Sequence, residues 1–568
     1  MGRVPPVSTI NFVYATAEIL FGKPSDLATV ASLFSKISRG AMTSALCRLG
    51  VTFDPDKHDK WIEYERTVLR GVLLDPKTRA LVNAFDAGTG AQAGVAFCRP
   101  QILLALRLAQ HLCSGAEKDF IPPEELRQIG LALLHVSDLM SDPRDSRENW
   151  PEDPDGAKRC LAAMMVSLFD ASNPPVSPHA MKRTFAMASS ALWDTDTTLR
   201  SARGSFQAGV GLSIGQYVAI IAALAARFVA QTNPEKNAEI HLGPVLSKAR
   251  DRDGIRKAID LISTPFADLP SKTLPPERTI TDRSDEPFRS TPLIGFPDDR
   301  FVCADVTFLK LRITNGLFWT VKSFLPKEIQ VDIFRAWGEL FEEYVHSVLE
   351  PIIGRRYKRS PRDPDGSELT DALVDYDEDV VLMEFKAALI PDAQKFGRDA
   401  DALVAVLEEK LLKVDQIVRA LIRLFGPDSK REFHRHLKRD FIKRIYPVIV
   451  SYDHSACAPF LEGLLNERLR ARLVAAGLPK HPIVQPLTVV AADDVDLIAP
   501  LLKHGVKLPR ILQERIAMRR SDVTFHNVLY AFAEQLRMPF KFGPEYMKVL
   551  EESLEFWKEQ GLPDDVGW

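Results

Sequence analysis

Two carboxylates and a lysine near the middle of the chain have the types and spacing of a catalytic patch. Residues 367–386 read SELTDALVDYDEDVVLMEFK, a pattern that predicts a β-hairpin with a two-residue turn at 377–378. With that turn, Asp371 faces Glu384 across the strands, and Lys386 lies on the same face because strand side chains alternate. Two carboxylates that close repel each other unless a proton or a divalent cation lies between them. The spacing therefore predicts a site that holds a cation or shares a proton.

Other acidic residues in the hairpin are rival ligands. Asp375 shares the face of Glu384 but lies four residues further along, about 13 Å at the rise of a strand, which is too far to share an ion. Asp377 falls in the turn, and both are interpreted as turn residues. A non-functional alternative for the whole patch is a solvated surface ion pair contributing less than ~1 kcal/mol. The apolar run that leads into Glu384 predicts a buried strand and favours the functional interpretation.

An acidic helix precedes the hairpin. Residues 338–345 read GELFEEYV, and on a helical wheel Glu342 lies about 110° from the apolar centre and Glu343 about 150°. This difference favours Glu342 only mildly as the residue that points toward the hairpin. The helix is expected to bury its aromatic and β-branched side chains against a sheet: Phe334, Trp337, Phe341, Tyr344 and Val348.

The helix motif and the hairpin together resemble the PD-(D/E)xK nuclease superfamily. In that family a helix supplies a Glu, an Asp begins one strand of a hairpin, and a Glu-x-Lys ends the next strand. Glu342, Asp371, Glu384 and Lys386 align with these elements in the same order along the chain. Thr370 stands where the family usually has a Pro. The resemblance covers about residues 325–500, including a following helix at 401–424 and apolar strands at 445–452 and 483–491.

The resemblance implies a restriction-endonuclease-like α/β domain with a mixed central sheet, in a protein whose N-terminal half is mostly α-helical. It implies Mg²⁺ or Mn²⁺ held by Asp371 and Glu384 with the carbonyl of Phe385, and Glu342 assisting. Lys386 would orient and help deprotonate the attacking water. Two auxiliary residues on the next helix would be Lys413 and Gln416, although a lone exposed Gln is an equally good interpretation.

The implied activity is metal-dependent hydrolysis of phosphodiester bonds in nucleic acid, DNA in preference to RNA. By family analogy alone, a helical module fused to such a nuclease indicates bacterial restriction or antiviral defence. Two alternatives stay open: an inactive nuclease fold that only binds nucleic acid or serves as a sensor or scaffold, and a helical half that must bind a ligand or partner before cleavage begins.

A basic run is the sequence's candidate for phosphate contacts. Residues 430–444 read KREFHRHLKRDFIKR, with seven Lys or Arg against two acids. Such a surface could contact phosphates, although a solvated helix face is the more usual meaning of such a run. The candidate nucleic-acid-binding residues are Lys430, Arg431, Arg435, Lys438 and Arg439.

Composition limits the class of protein. The chain has 568 residues, 46% of them hydrophobic and 26% charged, with a net charge of −3. This length predicts two to four domains, and this charge argues against a general polyanion binder. Six scattered cysteines without a CxxC pair, and an N-terminus without a secretory pattern, predict reduced thiols in the cytoplasm.

Pattern changes along the chain predict four regions. Residues 1–265 are expected to form a helical domain of sensory or partner-binding role, and 266–300 a Pro-rich linker. Residues 301–507 are expected to form the nuclease domain, and 508–568 a helical extension packed on it. The uncharged run 208–226 is interpreted as a buried helix, so no membrane is expected as a partner. Homo-oligomerisation is an open alternative.

Overall fold

A computed structural model describes fourteen stretches of the chain: 12–53, 58–89, 93–115, 122–140, 153–172, 177–229, 239–282, 284–362, 366–396, 399–412, 414–425, 442–477, 484–518 and 523–538. The structure is mostly helical (66%) and combines helices with mixed sheets, as expected for a multidomain α/β protein. The chain folds into two compact units whose segments alternate along the sequence. One unit contains the predicted hairpin and is called the site unit; the other is called the second unit.

The site unit is built from the described residues between Trp150 and Ser205 and between Leu317 and Val549. The second unit takes those between Ser8 and Asn149 and between Phe206 and Gly316. The described strands are β1 (Phe12–Tyr14), β2 (Ala93–Val95), β3 (Glu239–His241), β4 (Ser263–Pro265), β5 (Leu293–Gly295), β6 (Arg300–Cys303), β7 (Tyr357–Arg359), β8 (Ala372–Asp375), β9 (Asp379–Lys386), β10 (Arg444–Ser451) and β11 (Thr488–Ala491).

The site unit is organised around a five-stranded mixed sheet in the order β11-β10-β9-β8-β7. Strands β9, β10 and β11 are parallel to one another, whereas β8 runs antiparallel to both β9 and β7. The apolar runs of β9 and β10 are buried along almost their whole length, as expected for strands covered on both faces. The helices of this unit are Pro154–Ser172, Pro178–Ala188, Leu192–Thr195, Asp332–Ile353, Asp392–Lys395, Ala400–Val406, Val414–Phe425, Leu461–Ala475, Ala492–Lys503, Leu508–Met518 and Phe525–Gln535.

The Asp332–Ile353 helix, called the long helix, covers one face of this sheet. Its apolar residues recur every three or four positions, and Trp337, Phe341 and Tyr344 are buried. The helix ends at Gly354, whose φ of 64° is easily adopted only without a side chain. Phe334, expected to be buried, is 42% exposed and packs against the ring of Phe318 at 5.0 Å.

The opposite face of the sheet packs on an apolar core. Leu373 and Leu382 contribute from β8 and β9, with Ile445 and Ile449 from β10. The helices that complete this core contribute Val166, Leu403, Ile417, Val418, Leu421, Leu461, Leu465 and Leu469. Glu384 and Lys386 continue the alternation of Val380 and Leu382 and therefore lie on this face.

Two helices near the C-terminal end of the described residues pack on the same sheet. The Leu508–Met518 helix contacts β9, and the Phe525–Gln535 helix contacts β11. A hydrogen bond of 2.7 Å from the Gln513 amide to the Tyr446 hydroxyl joins the first of these helices to β10.

The second unit is helical with two small sheets. Its β1 and β2 are parallel, and its other sheet has the order β3-β6-β5-β4. Its helices are Ala17–Phe21, Leu27–Phe34, Arg39–Gly50, His58–Tyr64, Arg70–Leu73, Pro76–Gly88, Arg99–Leu112, Pro123–Asp138, Ile214–Val229, Leu242–Lys248, Arg252–Asp260, Leu269–Lys272, Pro276–Thr279 and Val306–Ile313. Two further helices, Thr197–Val210 and Asn315–Ser323, continue from one unit into the other.

The boundaries of these units differ from the predicted domains. Residues between Trp150 and Ser205, expected in an N-terminal helical domain, belong to the site unit, where Val166 packs in the core of the sheet. The segment 266–300, expected as a linker, is part of the second unit and contains β5. Its apolar side chains are buried, including Phe266, Leu269, Phe288, Leu293 and Ile294. Prolines here begin short helices and do not mark an extended connection.

The uncharged run 208–226 forms the end of one helix and most of the Ile214–Val229 helix. Tyr217, Val218, Ile220 and Ile221 of that helix are fully buried. Within the part of the chain that the structure describes, no single helix has both the length and the hydropathy needed to cross a bilayer. The consecutive helices Thr197–Val210 and Ile214–Phe228 pass that test only when joined across a bend, by length and composition alone.

Candidate active site

The hairpin forms with the predicted register. Ala372 pairs with Met383, Leu373 with Leu382 and Val374 with Val381. The two residue numbers in each pair have the same sum, and 371 and 384 also have this sum. The register therefore places Asp371 opposite Glu384, one position beyond the last bridged pair. Thr370, where the resembled family has a Pro, donates a 2.6 Å hydrogen bond from Oγ1 to the Met383 carbonyl. This bond holds the entry of β8 against β9.

The turn residues behave as predicted. Asp375 accepts a 2.8 Å hydrogen bond from the backbone N–H of Asp377, and Asp377 adopts a φ of 67°. This is the local turn chemistry that Asp side chains favour. Neither residue lies at the Asp371 end of the hairpin.

Asp371, Glu384 and Lys386 come together at the end of the sheet face that packs on the apolar core. The Lys386 ammonium donates a 2.8 Å hydrogen bond to Glu384 Oε2, and the side chains of the two are 11% and 2% exposed. Asp371 Oδ2 accepts a hydrogen bond from the backbone N–H of Phe385, the residue between them. The carboxylate of Asp371 and the Glu-x-Lys element are thus fixed to each other through the backbone.

The pKa of Asp371 reflects the negative charge that is buried in this patch. Burial, and after it the negative charge of Glu384, raise the pKa of this carboxyl to about 7, against the opposing effects of the Lys386 ammonium and the Phe385 N–H. The patch contains two carboxylates and one ammonium, so a negative charge is left over when both acids are ionised. A proton or a cation would relieve that excess.

Gln416 contacts the candidate catalytic lysine. Its Oε1 accepts a 2.7 Å hydrogen bond from the Lys386 ammonium, and it lies on the Val414–Phe425 helix that covers this face. Two of the three donors of the ammonium are therefore used, one by Glu384 and one by Gln416. These bonds fix the position of Lys386.

Glu342 reaches the patch from the other face of the sheet. It is on the long helix, and its Oε1 accepts 3.1 Å hydrogen bonds from the Ser360 hydroxyl and the His346 ring. The Ser360 backbone N–H in turn donates to the Asp371 carbonyl at 2.8 Å. Burial acts to raise the pKa of Glu342, but the His346 and Ser360 hydrogen bonds and the Arg359 charge outweigh it, so the net shift is downward. Glu342 is therefore an ionised carboxylate next to Asp371.

The neighbouring Glu343 has a different role. Its carboxylate accepts a hydrogen bond from the Arg359 guanidinium, and both side chains are at least 40% exposed. The charge of Glu342 contributes to the raised pKa of Asp371, whereas the carboxylate of Glu343 pairs with Arg359. Of the two glutamates, Glu342 is the one that acts on the patch.

His346 is a residue that the sequence-based reasoning missed. It is 0% exposed, and its Nδ1 and Nε2 lie 2.7 Å from the Tyr357 hydroxyl and 3.1 Å from Glu342 Oε1. Its ring packs edge-on against Phe385 with centroids 5.4 Å apart. It joins the long helix to the Glu-x-Lys strand. Its position four residues after Glu342 on one helical face is the sequence signal that could have identified it.

The structure offers fewer side-chain metal ligands than the resemblance implies. Among the described residues, no group of three or more His, Cys, Asp or Glu side chains is arranged to hold a metal ion, so Glu342 does not join Asp371 and Glu384 as a third ligand. The two facing carboxylates remain as hard oxygen donors, and their excess negative charge suits a divalent cation. Two carboxylates completed by carbonyl and water oxygens are a donor set that Mg²⁺ accepts.

The remaining candidate residues lie outside the described part of the chain. These are Lys413, Lys430, Arg431, Arg435, Lys438 and Arg439.

Comparison with known proteins identifies no relative that would help to interpret this geometry. No protein-family model, no curated protein and no solved structure matches the chain. The interpretation of the patch therefore rests on its own residues.

Proposed function

We propose that the site unit is a metal-dependent phosphodiesterase that cleaves nucleic acid, with DNA as its preferred substrate. The observation that supports this most directly is the hairpin register, which sets Asp371 opposite Glu384 and puts Lys386 on their face. The proposal includes the finer fold assignment, a restriction-endonuclease-like arrangement of the sheet and the long helix. A role in bacterial restriction or antiviral defence is part of the same proposal and rests on family analogy.

Asp371 and Glu384 would hold a divalent cation, Mg²⁺ or Mn²⁺, with the Phe385 carbonyl as a further oxygen donor. Bound there, the ion would lower the pKa of the attacking water and offset charge that develops on the phosphate. Glu342, held by Ser360 and His346, would keep Asp371 oriented and would add negative potential that favours cation binding.

Lys386 acts on the water and the phosphate. Glu384 and Gln416 hold its ammonium in place, and no third partner lies among the described residues. Its remaining N–H can donate to the attacking water or to a phosphate oxygen. A fixed donor costs little reorganisation when charge develops in the transition state.

The unaltered chain and Asp371→Ala should be compared on plasmid, linear duplex DNA, single-stranded DNA and RNA, with Mg²⁺ or Mn²⁺. We expect metal-dependent cleavage by the unaltered chain and none by the variant, together with loss of the calorimetric Mg²⁺ signal. Cleavage that survives in the variant would place the activity elsewhere in the chain.

A second candidate function is nucleic-acid binding without cleavage. The ion pair between Lys386 and Glu384 favours it, because the ammonium already neutralises one of the two carboxylates without a metal. The same panel decides between the two: binding of DNA with no metal signal and no cleavage in any condition would support the binding protein.

A further inference from the structure

A concentrated basic segment lies beside the candidate site. Residues 354–362 read GRRYKRSPR and contain five Lys or Arg and no acid, in a chain whose net charge is −3. The five basic residues, called the basic strip, are Arg355, Arg356, Lys358, Arg359 and Arg362. The sequence pattern had favoured a different basic run, 430–444, for phosphate contacts.

The strip follows the edge of the five-stranded sheet. It begins in the short Gly354–Arg356 helix and continues through β7, the last strand in the sheet order. Arg355, Lys358 and Arg362 are exposed. An edge strand leaves one row of backbone groups without a neighbouring strand, so both side chains and N–H groups can face a ligand.

Part of the strip's charge is compensated within the fold and part is not. The Arg359 guanidinium pairs with Glu343, and the Arg356 guanidinium lies 5.3 Å above the Tyr376 ring. Arg355 and Lys358 have no ion pair with any residue in the stretches that the structure describes. Arg362 donates a 3.3 Å hydrogen bond to the Gly366 carbonyl. Arg355 and Lys358 are therefore the exposed members of the strip that bond to no described residue.

The strip is continuous with the candidate site. Ser360 directly follows Arg359, and its backbone N–H and hydroxyl contact Asp371 and Glu342 at 2.8 and 3.1 Å. A strand of nucleic acid with one phosphate at Asp371 and Glu384 would therefore have neighbouring phosphates beside β7.

We propose that the basic strip binds the phosphate backbone of double-stranded DNA and guides it to the site. This inference rests on the proposed function, since it takes the Asp371 patch as the place of cleavage. Duplex DNA carries one negative charge per ~1.7 Å of axis, about twice the density along one strand, and closely spaced Lys and Arg match this density. Contacts of this kind position a duplex without reading its sequence.

The test is DNA binding by the full chain in the absence of divalent metal, so that no cleavage occurs. The Arg355→Ala/Lys358→Ala double variant removes the two exposed charges of the strip that bond to no described residue. A matched control, Lys327→Ala/Arg470→Ala, removes one exposed lysine and one exposed arginine elsewhere in the site unit. Lys327 precedes the long helix, whose 22 residues separate it by about 30 Å from the strip.

We expect the strip variant to bind duplex DNA about tenfold more weakly than the unaltered chain at low salt. The slope of log affinity against log salt should fall by about two, because each removed charge leaves one phosphate that the protein no longer neutralises. The control variant should keep the affinity and the slope of the unaltered chain.

The proposal would be wrong if the strip variant kept the DNA affinity and salt slope of the unaltered chain, or if the control variant lost as much affinity. It would also be wrong if the unaltered chain did not bind duplex DNA, or if the strip increased binding of single-stranded DNA or RNA more than binding of the duplex. Self-association of the strip variant with unchanged DNA affinity would mean that the charges only keep the sheet edge from pairing.

Metal-dependent cleavage assays separate this inference from the proposed function. Strip-dependent duplex binding without cleavage by the unaltered chain would remove the proposed activity and keep the strip. Cleavage by the unaltered chain with strip-independent binding would remove the strip and keep the activity.

Discussion

Two buried charge clusters in the site unit differ in their balance of charge. One cluster joins the Pro178–Ala188 helix, the Ala492–Lys503 helix and the long helix, and its charged members are Lys182, Arg183, Asp493 and Asp496. It has two cations for two carboxylates. The Asp371 patch has two carboxylates and one ammonium.

The carboxyl pKa values follow this difference. Burial acts to raise the pKa of Asp493, but the Arg183 charge and a hydrogen bond from Ser177 outweigh it, so the pKa of Asp493 is lowered. Burial and Glu384 raise the pKa of Asp371 to about 7. The first cluster has its carboxylates balanced by cations, whereas the Asp371 patch keeps an excess negative charge, which is the arrangement expected of a ligand site.

Removing a lysine from each cluster should have opposite consequences. Lys386→Ala should reduce cleavage at least ~10³-fold, because the variant has no fixed donor to the water or phosphate. Lys182→Ala should leave cleavage per folded molecule unchanged and lower the free energy of unfolding by about 1–3 kcal/mol, because Asp496 no longer has its ion pair. Cleavage rates and denaturant unfolding of both variants check this. An equal drop in activity in both would remove the distinction between the clusters.

Asp371→Asn should stabilise the protein at neutral pH and above. The Asp371 pKa is about 7 in the folded protein against 3.8 for an unperturbed Asp. The folded state therefore binds the extra proton between these values, and stability falls as pH rises from about 4 to about 7. The variant should be more stable than the unaltered chain by on the order of 4 kcal/mol above pH 7 and equally stable near pH 4. Thermal unfolding across this pH range measures the difference, and a constant difference would contradict the assignment.

His346→Leu should weaken Mg²⁺ binding about tenfold, because Glu342 loses the hydrogen bond that orients it. His346→Gln should restore most of the affinity, since its amide can donate to the same carboxylate. Calorimetric Mg²⁺ titration, with thermal unfolding as a parallel measurement, distinguishes the two roles. A leucine variant that loses stability but binds Mg²⁺ normally would make His346 a packing residue only.

The local geometry of the site followed from the sequence because its interactions are local. A two-residue turn fixes the register of a hairpin, and register decides which side chains face each other, so Asp371 and Glu384 could be paired from spacing alone. The same alternation placed Lys386. The choice of Glu342 over Glu343 needed the family pattern, because their helical-wheel angles differ little.

Long-range partners did not follow from the sequence. Helical periodicity shows which face of the Pro154–Ser172 helix is apolar, but not that Val166 packs in the core of the five-stranded sheet. Proline content between 266 and 300 indicated a linker, yet the buried Phe288 and Ile294 anchor that segment in a core. The role of Arg355 and Lys358 depends on β7 being an edge strand, which the sheet order alone reveals.

The alternation of the two units along the chain has a consequence for biosynthesis. The site unit takes residues from both sides of the second unit's later segment. On the ribosome, the Pro154–Ser172 helix and Arg183 emerge long before the strands and the aspartates that they contact. They lack these partners until the strands and the aspartates have also been synthesised. A fragment beginning near residue 317 would lack Arg183 and Lys182, which would leave Asp493 and Asp496 buried without their cations, and expression of such a fragment should fail.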